Sequence, residues 1–170
     1  PVYCDNRLTL TAPEVRTLIE NSIADVIREE YPEADVIMGT ATAGIAHAAI
    51  AAHILGLPMG YVRSGAKDHG RGNQIEGQLN KSDKVVIVED LISTGGSVID
   101  AATALRNAGA EVLGIVSIFT YGMQKGLDRL AQENLKNISL TNFDVISEVA
   151  VDESYIRPED RERLIAFRNN

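Results

Sequence analysis

The sequence predicts an α/β protein: an open, mostly parallel, twisted sheet flanked by helices, with one flexible glycine-rich loop breaking the alternation. Three observations carry this. Short runs of β-branched and small apolar residues alternate with helix-period segments along the chain. One such run, Val85-Val86-Ile87-Val88 after Lys84, is apolar without a break, as in a strand buried on both faces. Gly56 and Gly109 each follow a helix-period segment, where a left-handed stop is needed.

Thr11-Ala12-Pro13-Glu14 has the form of a capping box with proline in the first turn. Val15, Leu18, Ile19, Ile23, Val26 and Ile27 then make one helix face, and Pro32 ends that helix. Residues 35–39 read as a short buried strand. Small residues follow over 40–44, then an alanine-rich helix to about Leu55, and a strand over 58–62. From Ser64 to Gly77 the pattern dissolves into polar residues with four glycines, the signature of a mobile loop with a frayed strand pair at its end. A strand over 84–88 and a helix over 96–108 come next. A buried strand over 111–119 follows, then a helix over 125–133 and a strand over 138–140. Helices over 144–151 and 158–168 close the chain.

With 170 residues, 45% hydrophobic and 24% charged, the chain suits a single domain over residues 1–170. It starts at Pro1 rather than Met, so a native upstream segment is expected. Cys4 is the one cysteine; no internal disulfide is possible, and a reducing, cytoplasmic setting fits. Cys4 itself reads as a bystander. The net charge of −8 argues against nucleic-acid partners that bind through the phosphate backbone. No apolar run reaches the roughly 18 residues of a membrane span, and no signal peptide is visible.

In sheets of this kind, ligands bind beyond the carboxyl ends of the strands. Three loops lie there. Within residues 89–97, Gly95 and Gly96 let the backbone approach an anion. The amides of Thr94 to Ser97 open a helix whose dipole favours negative charge, and Thr94 and Ser97 add hydroxyls. Glu89 and Asp90 would repel a phosphate, so they face something else: vicinal sugar hydroxyls, or a ligand-borne Mg²⁺. The set fits a ribose phosphate. It lacks the lysine of a Walker loop and the G-x-G-x-x-G of a dinucleotide fingerprint. The second loop, residues 63–72, gathers Arg63, Lys67, His69 and Arg71 in an otherwise acidic chain and suits a lid over a highly charged substrate. The third, Thr40-Ala41-Thr42-Ala43-Gly44, has the make-up of a small anion nest. His47 and His53 are six apart, not a metal-binding i, i+4 pair, and read as core or surface histidines.

VVIVEDLISTGGS resembles the 5-phosphoribosyl-1-diphosphate (PRPP) motif of the type I phosphoribosyltransferases. Together with GTATAGIAH, YVRSGAKDHGRGNQIEG and PVYCDNR it resembles the orotate branch of that family, of the Gram-positive kind. The resemblance implies the type I phosphoribosyltransferase fold with a lid, and transfer of phosphoribose from PRPP to orotate. Glu89 and Asp90 would hold the ribose hydroxyls. The PRPP segment runs on through Leu91, Ile92, Ser93, Thr94, Gly95, Gly96 and Ser97, with residues 93–97 on the 5-phosphate and Ser93 also near orotate. Thr40, Ala41, Thr42 and Ala43 would line the diphosphate side. Arg63, Lys67 and His69 would reach the diphosphate, with Asp68 orienting them or moving a proton. Mg²⁺ would be held mainly through PRPP and water, with no dedicated protein ligand set. The lid would serve the neighbouring subunit of a homodimer. Two departures stand out. Ser64 replaces a frequent lysine. Tyr121 stands where many members carry an orotate-binding arginine, which leaves the orotate carboxylate to amides around residues 2–6 or to an upstream basic residue. A purine phosphoribosyltransferase and a PRPP-sensing transcription regulator remain as rival readings, although the chain has no basic nucleic-acid surface.

Overall fold

The computed structural model describes residues 4–65 and 73–170. A 3₁₀ helix, Asn6–Thr11, leads into α1 (Pro13–Glu30), β1 (Val36–Thr40), α2 (Ala43–Leu55), β2 (Met59–Val62) and β3 (Ile75–Glu76). Then come β4 (Lys84–Ile92), α3 (Gly96–Asn107), β5 (Glu111–Thr120), α4 (Gln124–Gln132), β6 (Asn137–Asn142), α5 (Phe143–Asp152) and α6 (Pro158–Asn169). The six strands form one sheet in the order β3-β2-β1-β4-β5-β6. All neighbours are parallel except β3, which runs antiparallel to β2. Strand order therefore reverses between β1 and β4, the switch point where such sheets open a crevice.

The unbroken apolar run of β4 is explained by burial on both faces. Val85 and Ile87 pack against Val98, Ala102 and Leu105 of α3. Val86 and Val88 face the opposite layer, with Ile23 and Ile27 of α1 and Ala48, Ala51 and Ala52 of α2. Alanine at those α2 positions favours the helix and lets it lie close to the sheet. Gly56 (φ 68°) ends α2, its N–H returning to the Ala52 and His53 carbonyls.

Two expectations fail locally. The capping box does not form: Ala12 is the N-cap of α1, without a side-chain bond, and the Thr11 hydroxyl donates instead to the Leu8 carbonyl at 3.0 Å. The preceding 3₁₀ helix claims Thr11 as its last residue, and that local bond wins. The apolar face of α1 is also shorter than its periodicity implies. Val15 and Leu18 are 44% and 68% exposed, while Glu20, Ile23, Ala24 and Ile27 are buried. Burial of α1 against the α2 layer begins at Ile19 and Glu20, past its first turns.

One buried polar contact joins those layers. His47 Nδ1 lies 2.6 Å from Glu20 Oε1, both side chains 1% exposed. His47 is thus a core histidine, and His53 is exposed. The Tyr31 hydroxyl is also buried, against Gly114, and has no hydrogen-bond partner among the described residues. Tyr31→Phe removes that unsatisfied hydroxyl, so it should leave stability unchanged or raise it by about 1 kcal/mol. Urea midpoints check this; a lowered midpoint contradicts it.

Candidate functional site

The β1–β4 register opposes Gly39 to Val88, so Thr40 and Glu89 emerge side by side at the crevice. The Thr40 hydroxyl reaches the Val88 carbonyl at 3.4 Å. Gly44 makes this closeness possible: a Cβ there would sit 2.7 Å from the Val88 carbonyl oxygen. Glu89 is 6% exposed, and its Oε1 accepts the Asp90 amide at 2.9 Å. Burial, and then Asp90 beside it, push the Glu89 pKa up to about 8, against a smaller opposing effect of Thr40. Its carboxyl is therefore mostly uncharged near neutral pH, able to donate as well as accept a hydrogen bond. Asn6 ties the 3₁₀ helix to the same spot by donating to the Asp90 carbonyl at 3.0 Å.

The segment expected as one loop over 89–97 divides differently. β4 continues to Ile92, with Leu91 and Ile92 paired to Phe119 and Thr120 of β5. Glu89 and Asp90 are thus strand residues held by a ladder. The turn is Ser93, Thr94 and Gly95, and Gly95 (φ 83°) is the N-cap of α3. The first helical bond runs from the Ile99 amide to the Gly95 carbonyl, at 3.0 Å. The amides of Gly96, Ser97 and Val98 are left as the open donors of a helix start. Residues 89 and 91–98 line one cavity of about 500 Å³.

Two residues without a local sequence signal support this turn. Arg129 of α4 donates to the Thr94 carbonyl at 3.3 Å. Gly126 of α4 lies so close to the Ser93 carbonyl that any side chain would collide with it.

A second cavity, of about 740 Å³, joins the three strand-end loops. Thr40 and Ala41 line it from β1, Arg63, Ser64 and Gly65 from beyond β2, and Gly96 and Ser97 from α3. Thr42 opens with Ala41 and Arg63 onto an adjoining hollow, and the Ala41–Thr42 peptide is cis. Ala43 is the first residue of α2. Arg63 is braced: its amide donates to the Gln74 carbonyl at 2.7 Å, and its Nε donates to Glu76 Oε1 at 2.6 Å. Glu76 therefore holds the guanidinium by Nε and leaves its two terminal nitrogens to other partners. Lys67, Asp68 and His69, like Arg71 and the start of the chain at residues 1–3, lie outside the described residues. Among the described residues no three histidine, cysteine or acidic side chains cluster as metal ligands. No described helix is long and apolar enough to cross a membrane.

On the other side of Ser93 lies an apolar cavity that the sequence reading did not anticipate. Tyr121, Phe143, Phe167 and Arg168 are in its wall, so α6 borders the site. The Tyr121 hydroxyl accepts the Cys4 amide at 2.9 Å. Burial, with Asp5 and Asp90 nearby, pushes the Cys4 thiol above its ordinary value, the opposite of an activated nucleophile.

Residues 9–154 match the model of the phosphoribosyl transferase domain. The chain is similar to the orotate phosphoribosyltransferase of Listeria innocua, with 56% identity over all of this chain and 81% of that one. It is 53% identical to that of Bacillus subtilis, over all of this chain and 79% of that one. Among solved structures it is similar to orotate phosphoribosyltransferase from Aeropyrum pernix, with TM-score 0.79 and 29% identity over 86% of this chain and 81% of that one.

The raised pKa of Glu89 has a measurable consequence. The unfolded carboxyl loses its proton near 4.5, the folded one near 8. The native state is therefore favoured by protonation at low pH and penalised increasingly as pH rises through that interval. Glu89→Gln lacks this penalty, so its stability relative to wild type should increase from pH 5 to pH 8. Paired urea titrations check this; a constant difference contradicts it.

Proposed function

The chain belongs to the phosphoribosyl transferase family, and from that premise we propose how its strand-end site works. The activity is that of an orotate phosphoribosyltransferase: the 5-phosphoribosyl group of PRPP passes to orotate, giving orotidine 5′-monophosphate and diphosphate in pyrimidine synthesis. The observation that carries the site assignment is the juxtaposition of Glu89 and Asp90 with the open amides of Gly96 and Ser97 at one switch point. The acids take the ribose hydroxyls and the amides take the 5-phosphate. An uncharged Glu89 beside Asp90 suits a pair of hydroxyls, which both donate and accept, and spares the phosphate a second negative neighbour.

The diphosphate then lies toward Thr40, Ala41, Thr42 and Ala43, within reach of Arg63. At the anomeric carbon, bond breaking runs ahead of bond making, so positive charge grows on the ribose and negative charge on the leaving diphosphate. Arg63, Lys67 and His69 stabilise that negative charge, with Asp68 orienting them. Ser93 lies next to the base. Mg²⁺ carried by PRPP would supply further neutralisation of that charge. A homodimer in which each lid serves its neighbour is part of the proposal; exposed Leu8, Val15 and Leu18 offer apolar surface for such contact. A cytoplasmic setting suits the single cysteine. Adenine phosphoribosyltransferases share only the fold, at 20–24% identity, whereas orotate phosphoribosyltransferases match this whole chain at 53–56%, so neither the purine reading nor the regulator reading is favoured.

Orotate absorbance should fall only when PRPP and Mg²⁺ are both present, and hypoxanthine, xanthine or adenine should not replace orotate. Lys67→Ala should lower turnover about 10²–10³-fold with far less effect on PRPP binding; unchanged turnover contradicts its role. The shared-site arrangement is checked by mixing. Asp90→Ala and Lys67→Ala, each nearly inactive, should recover about a quarter of wild-type activity after subunit exchange, because half the dimers then hold one intact site. No recovery would place the lid on its own subunit.

A further inference from the structure

We propose that Arg168, on α6, in the wall of the apolar cavity beside Ser93, meets the carboxylate of orotate. The inference rests on the orotate reading above and names a residue for a role that Tyr121 leaves vacant at the end of β5. Position argues for it first. Ser93 lines both this cavity and the phosphate turn, so the two spaces adjoin where base and ribose must join. Shape and polarity agree. Empty space of about 550 Å³ is bounded largely by apolar side chains, among them Tyr121, Phe143 and Phe167. Tyr121 is fixed edge-on to Phe119, with centroids 5.0 Å apart, and packs on Phe143 at 5.7 Å, so the wall is rigid and suited to a flat ring.

Arg168 is the only cation lining this cavity among the described residues, and its side chain is 12% exposed. Its orientation is locked. Nε donates to Asn169 Oδ1 at 2.8 Å, and Nη1 to the Tyr121 carbonyl at 2.8 Å and to Asp144 Oδ2 at 3.1 Å. Nη2 donates to Asp144 Oδ1 at 3.0 Å. A guanidinium has five N–H donors. Four are used, and one on Nη2 remains for a ligand carboxylate. Asp144 plays two opposed parts: it aims the fork, and its own charge competes with the carboxylate that arrives.

That opposition sets the test, made on the full protein with wild type first shown to consume orotate. Failure at that step sinks the orotate reading itself, whatever Arg168 does. Arg168→Met should raise the KM for orotate about tenfold. The KM for PRPP should stay within about twofold, and inhibition by uracil, which lacks the carboxylate, should not change. Asp144→Asn removes the competing charge and should lower the KM for orotate. If Arg168→Met does not fold, Arg168→Lys, which keeps the charge and loses the fork, should raise that KM by a smaller factor. An Arg168–Asp144 pair that only fastens α6 would move the orotate KM the same way in both variants, or move both substrates' KM values together. Either result overturns the proposal, as does an unchanged orotate KM.

Discussion

The parallel pairing of β1 with β4 is the constraint on which the rest depends. It places Thr40 next to Glu89 at the point where strand order reverses. The loop after β1 therefore meets the acids and the turn after β4. Gly44 permits that approach from α2, and Gly126 permits α4 to press on the turn from its other side. The crevice is thus assembled from pieces separated in sequence by some 50 residues.

Within the site, electrostatics are resolved by position rather than by composition. Two adjacent acids next to the proposed phosphate cradle pose a conflict only if both are ionised and both face it. Burial keeps the inner one mostly neutral, and the extension of β4 through Ile92 holds both in a strand, before the chain turns into the cradle. Positive charge comes from outside the sheet: Arg129 from behind the turn and Arg63 from across the crevice, each tethered by a specific acceptor. The chain can therefore be acidic as a whole and still present a cationic face to one small space.

Local features were legible where the physics is local. The buried run of β4, the glycine stops at Gly56 and Gly109, and the Ser-Thr-Gly-Gly turn each declare themselves within a few residues. Features decided by distant partners were not. Nothing near Asp90 says that β4 continues past it; the length of β5 decides that. Thr11 and Glu14 match a capping box, but the competing 3₁₀ turn uses Thr11 first. The cavity beside Ser93 draws on residues 93, 121, 143, 167 and 168, a set that becomes visible only once α6 lies across the ends of β5 and β6. Gly126 looks like a poor helix residue until the Ser93 carbonyl appears beside it.

The Glu20–His47 contact does for the helical layer what register does for the sheet. Apolar side chains tolerate small rotations of one helix on another, but a buried carboxylate and imidazole do not. Turning α1 by one residue, about 100° around its axis, would strand both groups in a dry interior without each other. The two helices therefore have one permitted azimuth. Because α2 starts directly from the Thr40–Thr42 loop, the choice of azimuth is felt at the mouth of the crevice. A mispacked α1 would leave both groups buried without each other, a desolvation cost that disfavours it in the folding chain.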